Sequence, residues 1–270
     1  MPLTRFQGHI ARLLATNRSP DSHLAGGAAL HMEPRSDRYS NDLDYFHDSA
    51  ERVATAFEAD RKLLLADGCS VNIDMNQPGY LRALVQKGDE STKIEWAHDS
   101  AWRFMPTVLT DDYGYVLHPI DLAVNKVLAL VGRNEVRDFV DVLRCHRDVL
   151  PLGALCWAAA GKDPGFTPLS LLELLRRRGV HRPEELARLH LATPVDLPTL
   201  KSEWLAALDS ADAFIRSRPP EEVGCLYYSP SAHAFVDPDG HPDATPHFGR
   251  PGGVIPRGLE GDSSAPHVSR

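Results

Sequence analysis

Cysteine is scarce and scattered in this chain. The four cysteines, Cys69, Cys145, Cys156 and Cys225, form no CxxC pair, so neither a zinc site nor a disulfide framework is expected and the thiols read as reduced. Long apolar runs are missing as well. The longest, Gly153 to Gly161, falls far short of the ~20 residues that cross a bilayer. The opening MPLTRFQGHIARLLATN alternates charged and apolar residues and lacks the uninterrupted apolar centre of a signal peptide, so a cytoplasmic location is expected and no membrane partner. A basic excess is also absent: 29 Lys plus Arg stand against 37 Asp plus Glu, a formal charge of −8. Residues 1–100 hold 11 basic and 15 acidic side chains, 101–200 hold 12 and 12, and 201–270 hold 6 and 10. A grip on nucleic acid by bulk charge is therefore excluded, and any such contact is sought at the one dense basic cluster, Arg176, Arg177, Arg178 and Arg182. Internal repeats, a P-loop, a dinucleotide fingerprint and a nucleophile elbow are all missing.

What is present suits a globular chain of one large or two modest domains: 270 residues, 43% hydrophobic and 24% charged. Phe6, Ile10, Leu13 and Leu14 recur at helical spacing and predict a helix over about 4–16. HLAGGAALHM reads as a short strand broken by Gly26-Gly27, and NDLDYF as a second strand. Ser49 opens a helix that ends at Asp67-Gly68. Segments 69–75, 80–86 and 92–97 read as strands joined by hairpins. After Pro106 the pattern turns helical: from Pro119 to about Val131, from Glu135 to Arg147 with Asn134 as cap, then 153–161, 168–178, 183–190 and 199–216. From Pro219 the chain is rich in proline and glycine, with one hairpin expected in CLYYSPSAHAFVDPDG and disorder over the final twenty residues. The expected organisation is an α+β module at 1–117, a helical domain at 118–218 and a tail at 219–270.

Asp42-Leu43-Asp44 is the sharpest local feature. Alternate strand residues share a face, so the two carboxylates lie side by side while Leu43 enters the core. Carboxylates this close repel, and keeping both ionised calls for a cation such as Mg²⁺, which takes one or two carboxylates plus substrate phosphates. Taken alone, a DxD is more often a solvated strand face. Its neighbours add weight. Gly26-Gly27 offers backbone that approaches phosphate oxygens without a Cβ in the way, and Arg38 and Ser40 put a cation and a hydroxyl beside the carboxylates. Glu95, mid-strand in TKIEWAHD, is a candidate third carboxylate or an edge-strand surface acid.

Lys126 lies on PIDLAVNKVLALV, a helix apolar around most of its circumference, and must either snorkel to solvent or face an anion. Twelve residues later, Asp138 and Asp141 in RDFVDVL fall one turn apart on one helical face, where a surface array with Arg137 and Arg144 is the plainer reading.

In order, LAGGAAL, RYSNDLDYF, NKVLALVGR and VRDFVDVL resemble the motifs of the AbiEii/AbiGii-type nucleotidyltransferase toxin family, in the DNA polymerase β-like nucleotidyltransferase superfamily. The likeness covers about residues 22–145. It implies an α+β core of mixed sheet and flanking helices followed by a helical half that completes the active-site cleft. It further implies an enzyme in which Asp42, Asp44 and, as a third ligand, Glu95 hold one or two Mg²⁺ ions. Gly26, Gly27, Arg38 and Ser40 would contact the triphosphate of an NTP. Lys126 would face phosphate charge, with Asp138, or else Asp141, as the acid that orients it or activates the acceptor. The implied acceptor is RNA such as a tRNA 3′ end, guided by the arginine cluster, and the implied partner a cognate antitoxin. A small-molecule acceptor such as an aminoglycoside, or a nucleotide-binding module without turnover, are the alternatives.

Overall fold

The computed structural model describes residues 3–32, 38–189, 191 and 196–259. They divide into two compact units, one of residues 1–101 with 106–118 and the other of residues 102–105 with 119–270.

In the first unit, Thr4 caps helix α1 (Arg5–Leu14) with a reciprocal Gln7 capping box. Strand β1 (Ser22–Ala25) runs straight into the short helix α2 (Gly26–Leu30), followed by β2 (Asp42–His47) and α3 (Ala50–Ala66), which Ser49 caps. Strands β3 (Ser70–Gln77), β4 (Tyr80–Lys87) and β5 (Glu90–His98) form the expected antiparallel meander. The two-residue β6 (Trp102–Arg103) belongs to the second unit; β7 (Val108–Thr110) and β8 (Gly114–Val116) return to the first. The seven strands form one mixed sheet in the order β3-β4-β5-β2-β1-β8-β7, with β2–β5 and β1–β8 parallel. The helical pattern expected from Pro106 onward is thus corrected: two three-residue strands come first, too short to carry periodicity.

One face of this sheet is the core. Leu43, Tyr45, Ile94 and Trp96 are essentially fully buried beneath α1 and α3, and Phe57 of α3 meets Trp96 edge-on at 5.1 Å. Each such burial contributes about 1.5–3 kcal/mol. A buried polar network stiffens β2 from this side. Asp60 accepts hydrogen bonds from Arg18, from Asn17 Nδ2 at 2.8 Å and from Trp96 Nε1 at 2.7 Å, and the Arg18 guanidinium lies 4.3 Å over the Tyr45 ring. The strand that carries the candidate carboxylates is therefore held rigidly along its inner edge.

The second unit is mostly helical: α4 (Pro119–Arg133), α5 (Val136–Asp148), α6 (Leu152–Lys162), α7 (Pro168–Arg178), α8 (Pro183–Leu186) and α9 (Leu197–Ser217). Helix α6, the apolar run of the sequence, is buried from Leu152 to Ala160 and packs on α4, α7 and α9. No helix among the described residues is long and apolar enough to cross a membrane. Glu135, not Asn134, occupies the N-cap of α5, and Asn134 takes φ 51° as the hinge between α4 and α5.

The segment after Pro219 is more ordered than its composition implies. The expected hairpin exists as β9 (Cys225–Ser229) and β10 (Ala234–Phe235), but β11 (Thr245–Phe248) adds a third strand against β9. Strand β12 (Arg250–Pro251) pairs with β6, and His247 Nε2 lies 3.0 Å from the Phe104 carbonyl oxygen. Disorder over 251–270 is thereby corrected as far as residue 259, and residues 260–270 lie outside the described residues. The helix expected over 183–190 is also corrected: α8 stops at Leu186, with Ala187 as its C-cap, and His190 lies outside the described residues.

Asp121 ties residues 104–105 to α4, accepting the backbone N–H of Phe104 at 2.7 Å and of Met105 at 3.0 Å. Burial pushes its carboxyl from 3.8 up to about 6, against the pull of those amides and of the Lys162 and Arg103 charges. Between about pH 4 and pH 6 the folded state therefore holds more proton than the unfolded state. Stability contributed by this group falls as pH rises through that window and is constant above it. A rise of that size corresponds to about 3 kcal/mol. Urea unfolding of wild type and Asp121→Asn at pH 4 to 7 checks this: the pH slope of the difference is expected to vanish above about pH 6.5.

Candidate active site

The first cluster is built where β1 ends. Ala25 is the register partner of Asp44, and the chain must leave the strand at the next residue. Gly26 does this at φ 62°, a conformation that favours glycine. It also packs without clearance, since a β-carbon at Gly26 would lie 1.8 Å from Asp44 Oδ2. Gly27 is nearly as tight: its β-carbon would lie 2.9 Å from Arg38 Nη2 and 3.1 Å from Ser40 Oγ. Alternation along β2 sends Leu43 and Tyr45 into the core and puts Asp42 and Asp44 on the opposite face. The six sequence candidates Gly26, Gly27, Arg38, Ser40, Asp42 and Asp44 thus come together.

The loop before β2 is held by hydrogen bonds. Ser40 Oγ donates to the Asp42 carbonyl oxygen at 3.0 Å and lies 3.3 Å from Asp42 Oδ1. Arg38, almost wholly buried, donates from Nη1 to the Tyr39 carbonyl oxygen at 3.0 Å. Gln7, which the sequence reading passed over, donates from Nε2 to the Ser40 carbonyl oxygen at 3.1 Å and reaches Thr92 Oγ1 at 3.4 Å. Its signal was the T-x-x-Q capping box, which reads as helix start and conceals the second task.

Glu95 stands opposite Asp44 in the parallel β2–β5 register. It also engages Tyr80: burial, then the charge and hydrogen bond of Glu95, push that phenol up to about 12. Among the described residues no three His, Cys, Asp or Glu side chains gather closely enough to hold a metal ion. The donor set therefore fits an ion that takes two carboxylates, Asp42 and Asp44, and completes its shell with phosphate and water oxygens, as Mg²⁺ does. Glu95 lies one strand over, beside Asp44.

The second cluster belongs to the other unit. Lys126 does not snorkel: it is 5% exposed, with Nζ 2.8 Å from Asp141 Oδ2 and 3.3 Å from Asp138 Oδ1. Both aspartates are fully buried, so the surface array with Arg137 and Arg144 is replaced; those arginines pair with Glu135 and Asp148. Arg133, at the end of α4, grips Asp138 through Nε at 2.6 Å and Nη2 at 3.0 Å. Burial pushes Asp138 up, but the Arg133 hydrogen bonds and the Lys126 and Arg133 charges outweigh it and hold the carboxyl below its usual range. Arg133 was present in the K-x-x-A-L-x-x-R spacing, yet a cation in a helix's last turn reads as a dipole partner.

The arginine cluster is partly neutralised. Arg176 lies 3.6 Å from Asp209, and Arg177 donates to Glu173 at 3.0 Å.

No family model matches the chain, and no curated protein matches it in sequence. Among solved structures it is similar to MenT4, a nucleotidyltransferase toxin from Mycobacterium tuberculosis, at 15% identity and a TM-score of 0.52, over 80% of this chain and 83% of that one. It also aligns with JHP933 from Helicobacter pylori at 14% identity and a TM-score of 0.46, over 77% of this chain and 91% of that one. On the first of these likenesses, an α+β unit with a mixed sheet followed by a helical unit, the chain shares the fold of MenT4.

Proposed function

We propose that this chain is a metal-dependent nucleotidyltransferase that moves a nucleotide from an NTP to an acceptor hydroxyl. The proposed acceptor is RNA such as a tRNA 3′ end, and the proposed setting is a cytoplasmic toxin paired with an antitoxin. One observation carries the reading: Gly26 packs against Asp44 Oδ2 while Gly27 packs against Arg38 and Ser40, so backbone, cation, hydroxyl and paired carboxylates share one small region. A solvated strand face needs no such packing.

Asp42 and Asp44 would hold one or two Mg²⁺ ions, which supply charge neutralisation at the reacting phosphate when bound. The glycine turn lets Asp44, Arg38 and Ser40 close on the backbone, and Arg38 and Ser40 orient the triphosphate. As the acceptor hydroxyl gives up its proton to water and its oxygen bonds to the α-phosphorus, the bond to pyrophosphate breaks and negative charge grows on the leaving group. Lys126 is assigned to offset that charge, on motif order. Asp141, by its shorter contact, and Asp138, shared with Arg133, fix the ammonium in position. Purified protein incubated with each α-labelled NTP and a broad RNA pool is expected to label RNA in Mg²⁺, to lose all labelling in EDTA and to regain it with excess Mg²⁺. Absence of label across all four NTPs would sink the proposal.

The pairing of Arg176 and Arg177 with acids favours a second reading, transfer to a small molecule such as an aminoglycoside. Label appearing on antibiotic and never on RNA would select it. A rise in Tm with NTP and no labelled acceptor of either kind would select the non-catalytic nucleotide-binding module.

A further inference from the structure

The carboxylate pair on β2 has two unlike flanks. On one side β1 brings Ala25 opposite Asp44 and leads into the glycine turn, with Arg38 and Ser40 beside it. On the other side the parallel strand β5 sets Lys93 opposite Asp42 and Glu95 opposite Asp44. Thr92, Ile94 and Trp96 are buried on the core side of β5, so by alternation Lys93 and Glu95 share the face of Asp42 and Asp44. Strand β4 continues the same two rows, with Leu84 beside Lys93 and Arg82 beside Glu95. Charge on this flank is unevenly spoken for. Glu95 is engaged by the Tyr80 hydroxyl, and Arg82 donates from Nε to Asp74 Oδ2 at 2.7 Å. Lys93 is exposed and has no ion-pair partner among the described residues. An uncompensated ammonium is thus rooted one strand spacing, ~4.8 Å, from the backbone of Asp42.

Nucleotidyl transfer is an in-line displacement, in which pyrophosphate leaves on one side of the α-phosphorus and the acceptor hydroxyl enters on the other. With the triphosphate assigned to the β1 flank, the acceptor enters over β5. We infer that Lys93 binds a phosphate of the acceptor, which is therefore a phosphodiester chain laid across β5 and β4 with its hydroxyl end at the carboxylate pair. Arg82 is the second cation on that path, since its pair with the exposed Asp74 contributes little and exchanges readily. Leu84, 42% exposed in the row beyond Lys93, gives the chain an apolar contact. A polycation such as an aminoglycoside would meet like charge at Lys93, so this flank favours RNA of the two acceptors considered above. The direction of entry rests on the proposed enzymatic activity, but binding is measured without turnover.

The test uses the full chain and a short single-stranded RNA with fluorescein at its 5′ end. Fluorescence anisotropy is expected to show saturable binding that Lys93→Glu weakens about tenfold, that Arg82→Glu added to it weakens further, and that Lys93→Arg retains. The slope of log affinity against log salt is expected to flatten by about 0.7 for each cation lost. Lys87→Glu makes the same charge change on the core-side face of β4, where Lys87 pairs with Asp67 at 2.9 Å, and is expected to alter binding less than about twofold. Thermal melts confirm that each variant is folded. Absence of RNA binding, binding indifferent to Lys93→Glu, or binding that depends instead on Arg176 and Arg177 would overturn the inference. So would a loss of NTP affinity in Lys93→Glu as large as the loss of RNA affinity, read from the NTP-induced rise in Tm, since Lys93 would then serve the carboxylates or the nucleotide. The two readings fail separately. Lys93-dependent binding with no RNA labelled from any NTP sinks the enzymatic reading and leaves this surface standing, whereas RNA labelled by Lys93→Glu at the wild-type rate sinks this surface alone.

Discussion

Gly26→Ala is expected to reduce nucleotidyl transfer by about 100- to 1000-fold while leaving a folded protein, read by NTP-labelling rates beside a thermal melt. The methyl group would fall 1.8 Å from Asp44 Oδ2 and 2.5 Å from its Cγ, far inside any contact distance. Either the carboxylate swings away or the turn after β1 moves, and the register pairing of Ala25 with Asp44 leaves the turn little freedom. Backbone strain at φ 62° adds about 1–2 kcal/mol. Gly68→Ala separates the two effects, because Gly68 sits at φ 81° with nothing within 4 Å of the added carbon. That variant is expected to lose comparable stability and no activity. Equal activity losses in the two variants would show that Gly26 matters for the fold alone.

Lys126→Met is expected to cost about 3–5 kcal/mol in urea unfolding, because it leaves two fully buried aspartates facing each other without the ammonium between them. Adding Asp141→Asn removes one of the two facing charges, and the double variant is expected to recover about half of the loss. Transfer activity is expected to fall by about 100-fold or more in the single variant and to stay there in the double, as a neutralising role for the ammonium requires. Activity returning with stability would reduce Lys126 to a structural cation. Since Asp138 is held below its usual range by Arg133 and Lys126, the stability it contributes is full at neutral pH and is lost only as pH falls through its lowered pKa.

Features that depend on neighbours in sequence were legible before the fold was known. The DLD alternation, the Gly-Gly break and the helix start at Ser49 each act within a turn or two of chain, and the structure places them as read. What was missed depends on distant partners. Strands β7 and β8 are three residues each, and β8 is defined by a parallel partner, β1, some ninety residues earlier. Strands β11 and β12 take shape only against β9 and β6, so a proline- and glycine-rich composition hid them. At the candidate site, the identities of Lys126, Asp138 and Asp141 were visible, but which acid lies nearer the lysine is a matter of 2.8 against 3.3 Å that no spacing rule resolves. Asn134 was misread as a cap because its residue type suits both a cap and a left-handed turn, and only the backbone angle separates them.

The pairing of β6 with β12 sets a schedule for biosynthesis. Trp102 and Arg103 leave the ribosome long before their strand partners Pro251 and Arg250 are translated. At ordinary synthesis rates that interval is roughly 10–30 s. Through it, the first unit's chain is complete while the strand residues embedded in its sequence wait unpaired for the far end of the message. Completion of the β6–β12 pair is thus tied to the last tenth of translation, and a message cut short there leaves Trp102 and Arg103 without their strand partners.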